Sequence, residues 1–216
     1  MKNIIGKEIR LVIPPISYLL MLLAALLLIP NYPYIIALSY SLLSIQIIFS
    51  VARANKDHEF MAALPIPRSH IVYGKHFSIA FIQLLQVVFA IPFALISALV
   101  LNKTGNEVGI DANFTLFGTL FICYSVFNLV LMPWYFQTGY KAGIPIIVAV
   151  LSYFAVYMIQ EIIFSAIPSA NTLFDGYSLA TIGYRLLYLA SGFAVYAVSL
   201  ILSCKISVKN FEKVSL

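Results

Sequence analysis

The sequence predicts an all-α membrane protein whose chain crosses the bilayer in six helices. Six long apolar stretches, separated by short polar breaks, run from Leu11 to Cys204. A bilayer core about 30 Å thick needs roughly 20 apolar helical residues to cross it. Lipid offers no partner to unpaired backbone N–H and C=O groups, so such stretches must be helical. The predicted spans are residues 11–29, 33–52, 77–101, 114–136, 144–167 and 186–204.

The composition indicates one membrane domain over residues 1–216. The chain is 62% hydrophobic and 10% charged, and its mean hydropathy of +0.98 is far above that of ordinary soluble domains. The longest hydrophilic stretch, residues 53–76, is too short to fold as a soluble catalytic domain. The basic residues lie at the ends of the spans and do not form a continuous stripe, which argues against a nucleic-acid partner. We therefore expect a membrane protein that is not an enzyme.

The basic residues also predict the orientation of the chain. If the N-terminus and residues 53–76, 137–143 and 205–216 share one side, that side holds eleven Lys and Arg residues. The opposite side holds only Lys103 and Arg185. Because Lys and Arg concentrate on the cytoplasmic side of membrane proteins, both termini are expected in the cytoplasm of a bacterial cell.

The first ten residues are expected to form an interfacial helix before the first span. Ile4, Ile9 and Val12 fall on one arc of a helix, and Lys7 and Arg10 fall on the other. Such a helix can lie in the cytoplasmic headgroup layer. An ordinary positively charged anchor is the alternative.

The loops between the spans differ in what they can carry. Residues 30–33 form a tight turn, residues 102–113 an irregular outer loop, and residues 137–143 a short inner turn near aromatic residues. Residues 168–184 are semi-polar and too short to cross the bilayer, so we expect short helices at the outer leaflet.

The inner segment between the second and third spans is the most informative polar part of the chain. Asn55 or Asp57 can cap a short helix with Glu59 in its first turn, and the helix must stop before Pro65. That helix carries an apolar face formed by Phe60, Met61 and Leu64. Exposed apolar surface rimmed by charge commonly marks a partner site. A hairpin packed on the inner ends of the spans is the alternative.

A second helix follows at once. Pro67 suits its first turn, and Arg68 and Lys75, seven residues apart, share one face near the headgroup boundary.

This segment resembles the permeases of ABC-2-type exporters. The resemblance rests on Leu64-Pro65-Ile66-Pro67-Arg68, on Ile71-Val72 and on Gly74-Lys75, which are similar to the family's link between its second and third spans. Pro67 stands where the family often has Ser or Thr. In size the chain is similar to permeases that export phenol-soluble modulins or bacitracin-like peptides.

The resemblance implies partners and site residues. Two such subunits, identical or related, pair in the membrane, and two ATPase subunits bind beneath them. The segment between spans two and three then couples to the ATPase through Asp57, Glu59, Phe60, Met61, Leu64, Pro65, Arg68 and Lys75. The chain has no G-x-x-x-x-G-K-[ST] phosphate loop, so ATP and magnesium are expected in the partner and no cofactor in this chain.

Candidates for the substrate pathway are sparser. Glu161 is the one clear charge within a predicted span, and it either lines the pathway or sits in the outer headgroup layer. Aromatic side chains that could line a soft cavity for an apolar substrate are Phe121, Tyr124, Phe127, Tyr153 and Tyr157. His58, His70 and His76 match no metal motif by their spacing, so we expect no metal site.

The favoured function is the membrane subunit of an ATP-driven exporter for a hydrophobic or amphipathic substrate such as a peptide toxin or antimicrobial compound. One alternative is the substrate-binding membrane component of an importer, which should show converging polar groups on its outer side. An intramembrane enzyme is a weaker alternative, because paired titratable groups at mid-membrane depth are absent from the sequence pattern.

Overall fold

The computed structural model describes residues 2–57, 60–61, 64–101 and 106–214 (residues 2, 3 and 5 by their backbone alone), and every regular element in those ranges is a helix. Two short helices come first: α1, Lys2–Lys7, which continues as a π-helical turn over Glu8–Val12, and α2, Pro15–Met21, which continues as a 3₁₀ helix over Leu22–Leu28. The others are α3, Tyr34–Ala54; α4, Arg68–Ile96, with a π-helical turn over Ser97–Leu101; α5, Phe114–Gln137; α6, Gly143–Ala166; α7, Pro168–Phe174; and α8, Ile182–Glu212, led by a 3₁₀ turn over Leu179–Thr181.

Five of these helices are long and apolar enough to cross a membrane: Tyr34–Ala54, Arg68–Leu101, Phe114–Gln137, Gly143–Ala166 and Leu179–Glu212. The chain is therefore a multi-pass helical membrane protein, as the sequence predicted. α4 and α8 extend beyond the predicted spans at their polar ends, because helical hydrogen bonding continues past the edge of the apolar segment.

The first predicted span differs from the expected single helix. Ile13 and Pro14 are extended, with ψ of 108° and 151°, since a residue that precedes proline is driven out of the α region. The helix that follows, Pro15–Leu28, is shorter than the other five. At 1.5 Å per α-helical and 2.0 Å per 3₁₀ residue it reaches about 24 Å, against a bilayer core of about 30 Å. The count of six spans stays a prediction.

The centre of the bundle is α5, the most deeply buried of the five long helices. α8 lies along α5, and α6 packs on α5 as well, whereas α2, α3 and α4 pack on one another. At the α5–α8 crossing, a Cβ atom built on Gly192 would lie 2.6 Å from the carbonyl oxygen of Gly118. Small residues at such a crossing let two membrane helices touch through their backbones.

The bundle has two ends that matter for function. The proximal end carries α1, the described residues 55–57, 60–61 and 64–67, the turn between α5 and α6, and the end of α8. The distal end carries the end of α4, residues 106–113, α7 and the start of α8. The predicted N-terminal helix is present, and it packs on the proximal start of α4, where a Cβ atom on Gly74 would lie 2.8 Å from Ile4 Cγ2.

Candidate coupling site and pathway

A buried cluster of charges occupies the proximal end. Lys75 Nζ lies 3.0 Å from Glu8 Oε2, and the Ser78 hydroxyl donates to the same oxygen at 3.0 Å. Lys7 Nζ lies 3.3 Å from Glu8 Oε1 and also pairs with Asp57. Lys75 and Ser78 are three residues apart on α4, so one helical face presents both to Glu8. We call these five residues the proximal ion cluster; it ties α1 and residue 57 to α4.

The apolar side chains predicted on one face of the 55–68 segment differ in their exposure. Met61 is only 3% exposed and belongs to the protein core, so the prediction that it lies on an exposed face is wrong. Phe60 and Leu64 are 62% and 38% exposed. Pro65 is exposed beside them, and Glu59 lies outside the described residues. The burial of Met61 leaves Phe60 and Leu64 as the apolar surface that a partner can reach.

Arg68 and Lys75 lie on the same helix but contact different parts of the protein. Lys75 is 1% exposed and belongs to the proximal ion cluster, so it cannot contact a partner directly. Arg68 Nη1 donates to the carbonyl oxygens of Phe211 at 3.2 Å and Val214 at 2.8 Å, and its guanidinium lies 5.5 Å from the centre of the Phe211 ring. A cation at the end of a helix satisfies its last carbonyls. Arg68 therefore fastens the start of α4 to the end of α8.

The aromatic side chains that were expected to line a cavity form packed core. Tyr124, Phe127 and Tyr153 are fully buried, and the Tyr124 hydroxyl bonds Ser41 at 2.7 Å. The remaining two, Phe121 and Tyr157, are 6% and 8% exposed. Phe121 also borders a cavity of about 460 Å³ at the distal end. These side chains are buried because α6 and α8 both pack on α5.

Glu161 points toward the distal loop and not into the bundle. A Cβ atom built on Gly109 would lie 3.7 Å from one Glu161 carboxylate oxygen and 2.9 Å from the Tyr157 hydroxyl. Gly109 has a φ of +142°, a conformation that side-chain-bearing residues rarely adopt. The loop can therefore come close to α6 only with glycine at this position.

Sequence reasoning missed a chain of polar groups within the spans. Gln83 and Asn128 exchange two amide hydrogen bonds of 3.0 and 2.9 Å, and the Tyr196 hydroxyl donates to Gln83 at 2.9 Å. Ser203 donates to the Asn128 carbonyl oxygen at 2.8 Å and lies 3.2 Å from His76 Nε2. These bonds join α4, α5 and α8. The sequence contains one indication of this network: Gln83 and Asn128 each place an amide side chain within a predicted apolar span. Such side chains commonly form hydrogen bonds between membrane helices.

Acidic residues that had no pattern in the sequence converge at the distal end. The Asp111 N–H donates to Asp175 Oδ1 at 3.0 Å, and the Asn106 N–H donates to the Asp111 carboxylate. Burial and the neighbouring charge of Asp175 raise the pKa of Asp111 to about 6. The two carboxylates border a recess of about 260 Å³ with Glu107 and Asn171. Only the folded chain brings these loops together, because they are 64 positions apart.

A second, larger cavity of about 460 Å³ lies between the distal ends of α4, α5 and α8. Phe121 lies at its inner wall, and Arg185, predicted as an outer topology charge, lines it from α8.

Comparison with known proteins identifies one family. A family model described as "ABC-2 family transporter protein" matches residues 3–212, nearly the whole chain. No curated protein and no solved structure matched the chain.

Proposed function

Because this chain belongs to the ABC-2 family of transporter proteins, we propose that it is the permease subunit of an ATP-driven exporter. Membership makes the chain a membrane component of an ABC transporter and implies an ABC ATPase as its partner. Export and the nature of the substrate are the parts that we add. ATP and magnesium would act in the partner, and this chain would perform no catalysis of its own.

The observation that carries the proposal is the surface of the 55–68 segment. Phe60 and Leu64 are exposed, while Met61 and the Asp57–Lys7 pair hold the segment against the protein. A held segment that presents apolar side chains suits an interface, because little conformational freedom is lost when the partner binds. Large apolar anchors of this kind supply much of the energy at protein interfaces.

α4 provides a route from this segment to the distal end. Its 29 residues reach about 44 Å at 1.5 Å per residue. Arg68 joins its proximal end to α8, and Lys75 joins it to α1. A displacement of the segment by the ATPase would therefore move α4 together with α8 and α1.

The packed core favours a pathway between two permease subunits. Tyr124, Phe127 and Tyr153 are fully buried between α5 and its described neighbours, so these aromatic side chains support packing within the subunit and not a pathway through it. α6 presents large exposed apolar side chains such as Ile147, Leu151 and Ile159. These features support a pair, identical or related, that encloses a hydrophobic or amphipathic substrate, for example a peptide. We further propose that the pair resides in the bacterial plasma membrane with both termini in the cytoplasm.

An importer component is the second candidate. The convergence of Asp111, Asp175 and Glu107 on one distal recess is the observation that favours it, because a substrate-capturing component needs polar groups at an outer site. This recess would then take a cationic solute.

Reconstitution decides between the two. The full chain, purified with the ABC ATPase that accompanies it from native membranes, is placed in proteoliposomes with ATP outside, so that only complexes with an outward-facing ATPase work. An exporter accumulates a fluorescent amphipathic peptide in the lumen, and ADP abolishes the accumulation. ATP-driven loss of a preloaded cationic peptide would favour the importer, and the absence of any accompanying ATPase would contradict both.

A further inference from the structure

The larger distal cavity opens on the surface that faces lipid. Its lining comes mainly from three membrane-spanning helices: Ile91, Leu95 and Leu99 of α4 and the turn that follows it, Phe117 and Phe121 of α5, and Leu189 of α8. Leu95 and Leu99, at its rim, are 55% and 70% exposed. Exposed leucines on a membrane-spanning helix face acyl chains, so the cavity is continuous with the hydrocarbon of the bilayer.

Among the described residues that line this apolar cavity, Arg185 is the charged one. Arg185 is 3% exposed, and it donates from Nε to the Leu173 carbonyl oxygen at 3.4 Å and from Nη2 to the Thr181 hydroxyl. Both partners are neutral. Within the described part of the chain, no carboxylate oxygen lies within 4 Å of its guanidinium. A guanidinium has five N–H donors, so several remain for an anionic acceptor.

Asp111 and Asp175 act on Arg185 electrostatically without pairing with it. Each accepts hydrogen bonds from backbone N–H groups of the distal loops, from Asn106 to Asp111 and from Gly176 to Asp175. These bonds hold the two carboxylates at the loops. The charge of Arg185 is therefore left facing a low-dielectric cavity, where an unpaired ion is costly.

We propose that this cavity binds an anionic phospholipid from the surrounding bilayer, with an acyl chain between α4, α5 and α8 and the phosphate at Arg185. The apolar walls suit the chain, and a phosphate supplies the charge-assisted hydrogen bonds that the guanidinium lacks. A volume of about 460 Å³ with one placed charge is typical of a small-molecule site. The site does not depend on the exporter role, because no residue of the 55–68 segment contributes to it.

Native mass spectrometry of the purified full chain tests the proposal with dioleoylphosphatidylglycerol as the probe. We expect saturable binding of one lipid, weakened about tenfold in Arg185→Gln through loss of the charge-assisted bonds. Ala98→Phe, which places a ring in the cavity, should abolish this binding without touching the charge. Ala155→Phe, on the exposed face of α6, is the matched control and should bind as the wild type does.

The other lipids distinguish the ligand. Dioleoylglycerol should bind at least about tenfold more weakly because it has no phosphate for Arg185. Dioleoylphosphatidylcholine should also bind at least about tenfold more weakly, because its choline cation offsets the phosphate charge and is repelled by the guanidinium. The proposal would be overturned if Ala98→Phe bound the lipid as well as the wild type does, or if the zwitterionic lipid bound equally well. It would also be overturned if free oleate bound saturably and the phospholipid did not. If Arg185→Gln does not fold, the comparison of Ala98→Phe with Ala155→Phe still decides it.

Discussion

The ammonium group of Lys75 lies 3.0 Å from the carboxylate of Glu8, and the two side chains are only 1% and 4% exposed. They are 67 positions apart in the chain, and the pair joins the N-terminal segment to the first turns of α4. Neither charge has access to water that could replace its partner.

The first prediction concerns this pair. Lys75→Met should destabilise the protein by about 3–5 kcal/mol, because Glu8 would remain buried with its main cation removed. The double variant Glu8→Leu with Lys75→Met should recover much of the loss. Thermal unfolding in detergent measures both, with Lys205→Met, an exposed lysine on α8, as the control. Equal stability of Lys75→Met and the control would show that the pair contributes nothing.

The second prediction concerns the α5–α8 crossing. Gly192→Ala should separate the two helices, because its Cβ would lie 2.6 Å from the Gly118 carbonyl oxygen. The expected loss is about 1–3 kcal/mol, in the range of overpacked sites. Gly183→Ala on the same helix is the matched control, since nothing lies within 4 Å of its added Cβ. Alanine should be neutral or stabilising there, and the same outcome at Gly192 would contradict the close contact.

The third prediction concerns the exposed surface of the 55–68 segment. Phe60→Ala with Leu64→Ala should weaken association with the ABC ATPase by about tenfold or more, since each buried anchor contributes about 1–3 kcal/mol. Unfolding of the permease itself should be unchanged, because both side chains are exposed. Co-purification and ATP turnover in nanodiscs measure the effect. Leu179→Ala, an 81% exposed leucine at the distal end, is the control, and full association of the double variant would remove the main support for coupling here.

The fourth prediction concerns pH at the distal end. The pKa of Asp111 is raised from 3.8 to about 6, first by burial and then by Asp175, so the folded protein holds this proton more tightly than the unfolded chain. Its stabilising contribution is complete below pH 3.8 and is lost as the pH rises to about 6. Asp111→Asn, which cannot ionise, should gain in unfolding temperature over the wild type between pH 4 and pH 7. Glu107→Gln, an exposed acid of the same loop, is the control, and a gain independent of pH would refute the assignment.

The fifth prediction concerns topology. In a variant with Cys123 and Cys204 replaced by alanine, a cysteine at Val108 should react with a membrane-impermeant maleimide in intact cells. A cysteine at Lys209 should react only after lysis, because the excess of basic residues predicts a cytoplasmic C-terminus. Both positions are exposed, so reaction of position 209 in intact cells would reverse the orientation.

The local pattern of the sequence was enough to predict the membrane class and most of the helices. Apolar runs of helical length predict spans wherever they occur, and the long helices from Tyr34 onward lie where expected. The first span was the exception. Pro14 breaks the helix there, but the stretch around it stays apolar, so hydropathy alone does not reveal the break. The motif from Leu64 to Lys75 indicated the family that the match over residues 3–212 shows.

The tertiary structure decided how the functional side chains are used. Hydropathy does not distinguish Met61, which is buried, from Phe60, which is exposed, because both are apolar neighbours on one short segment. Nor does it show that Arg185 lines a cavity or that Asp111 meets Asp175, since each depends on which helices lie side by side. The sequence by itself determined which segments enter the membrane, because the cost of burying polar groups in lipid is set residue by residue. The pairing of charges across helices depends on distances between segments that are remote in the chain, and packing alone sets those distances.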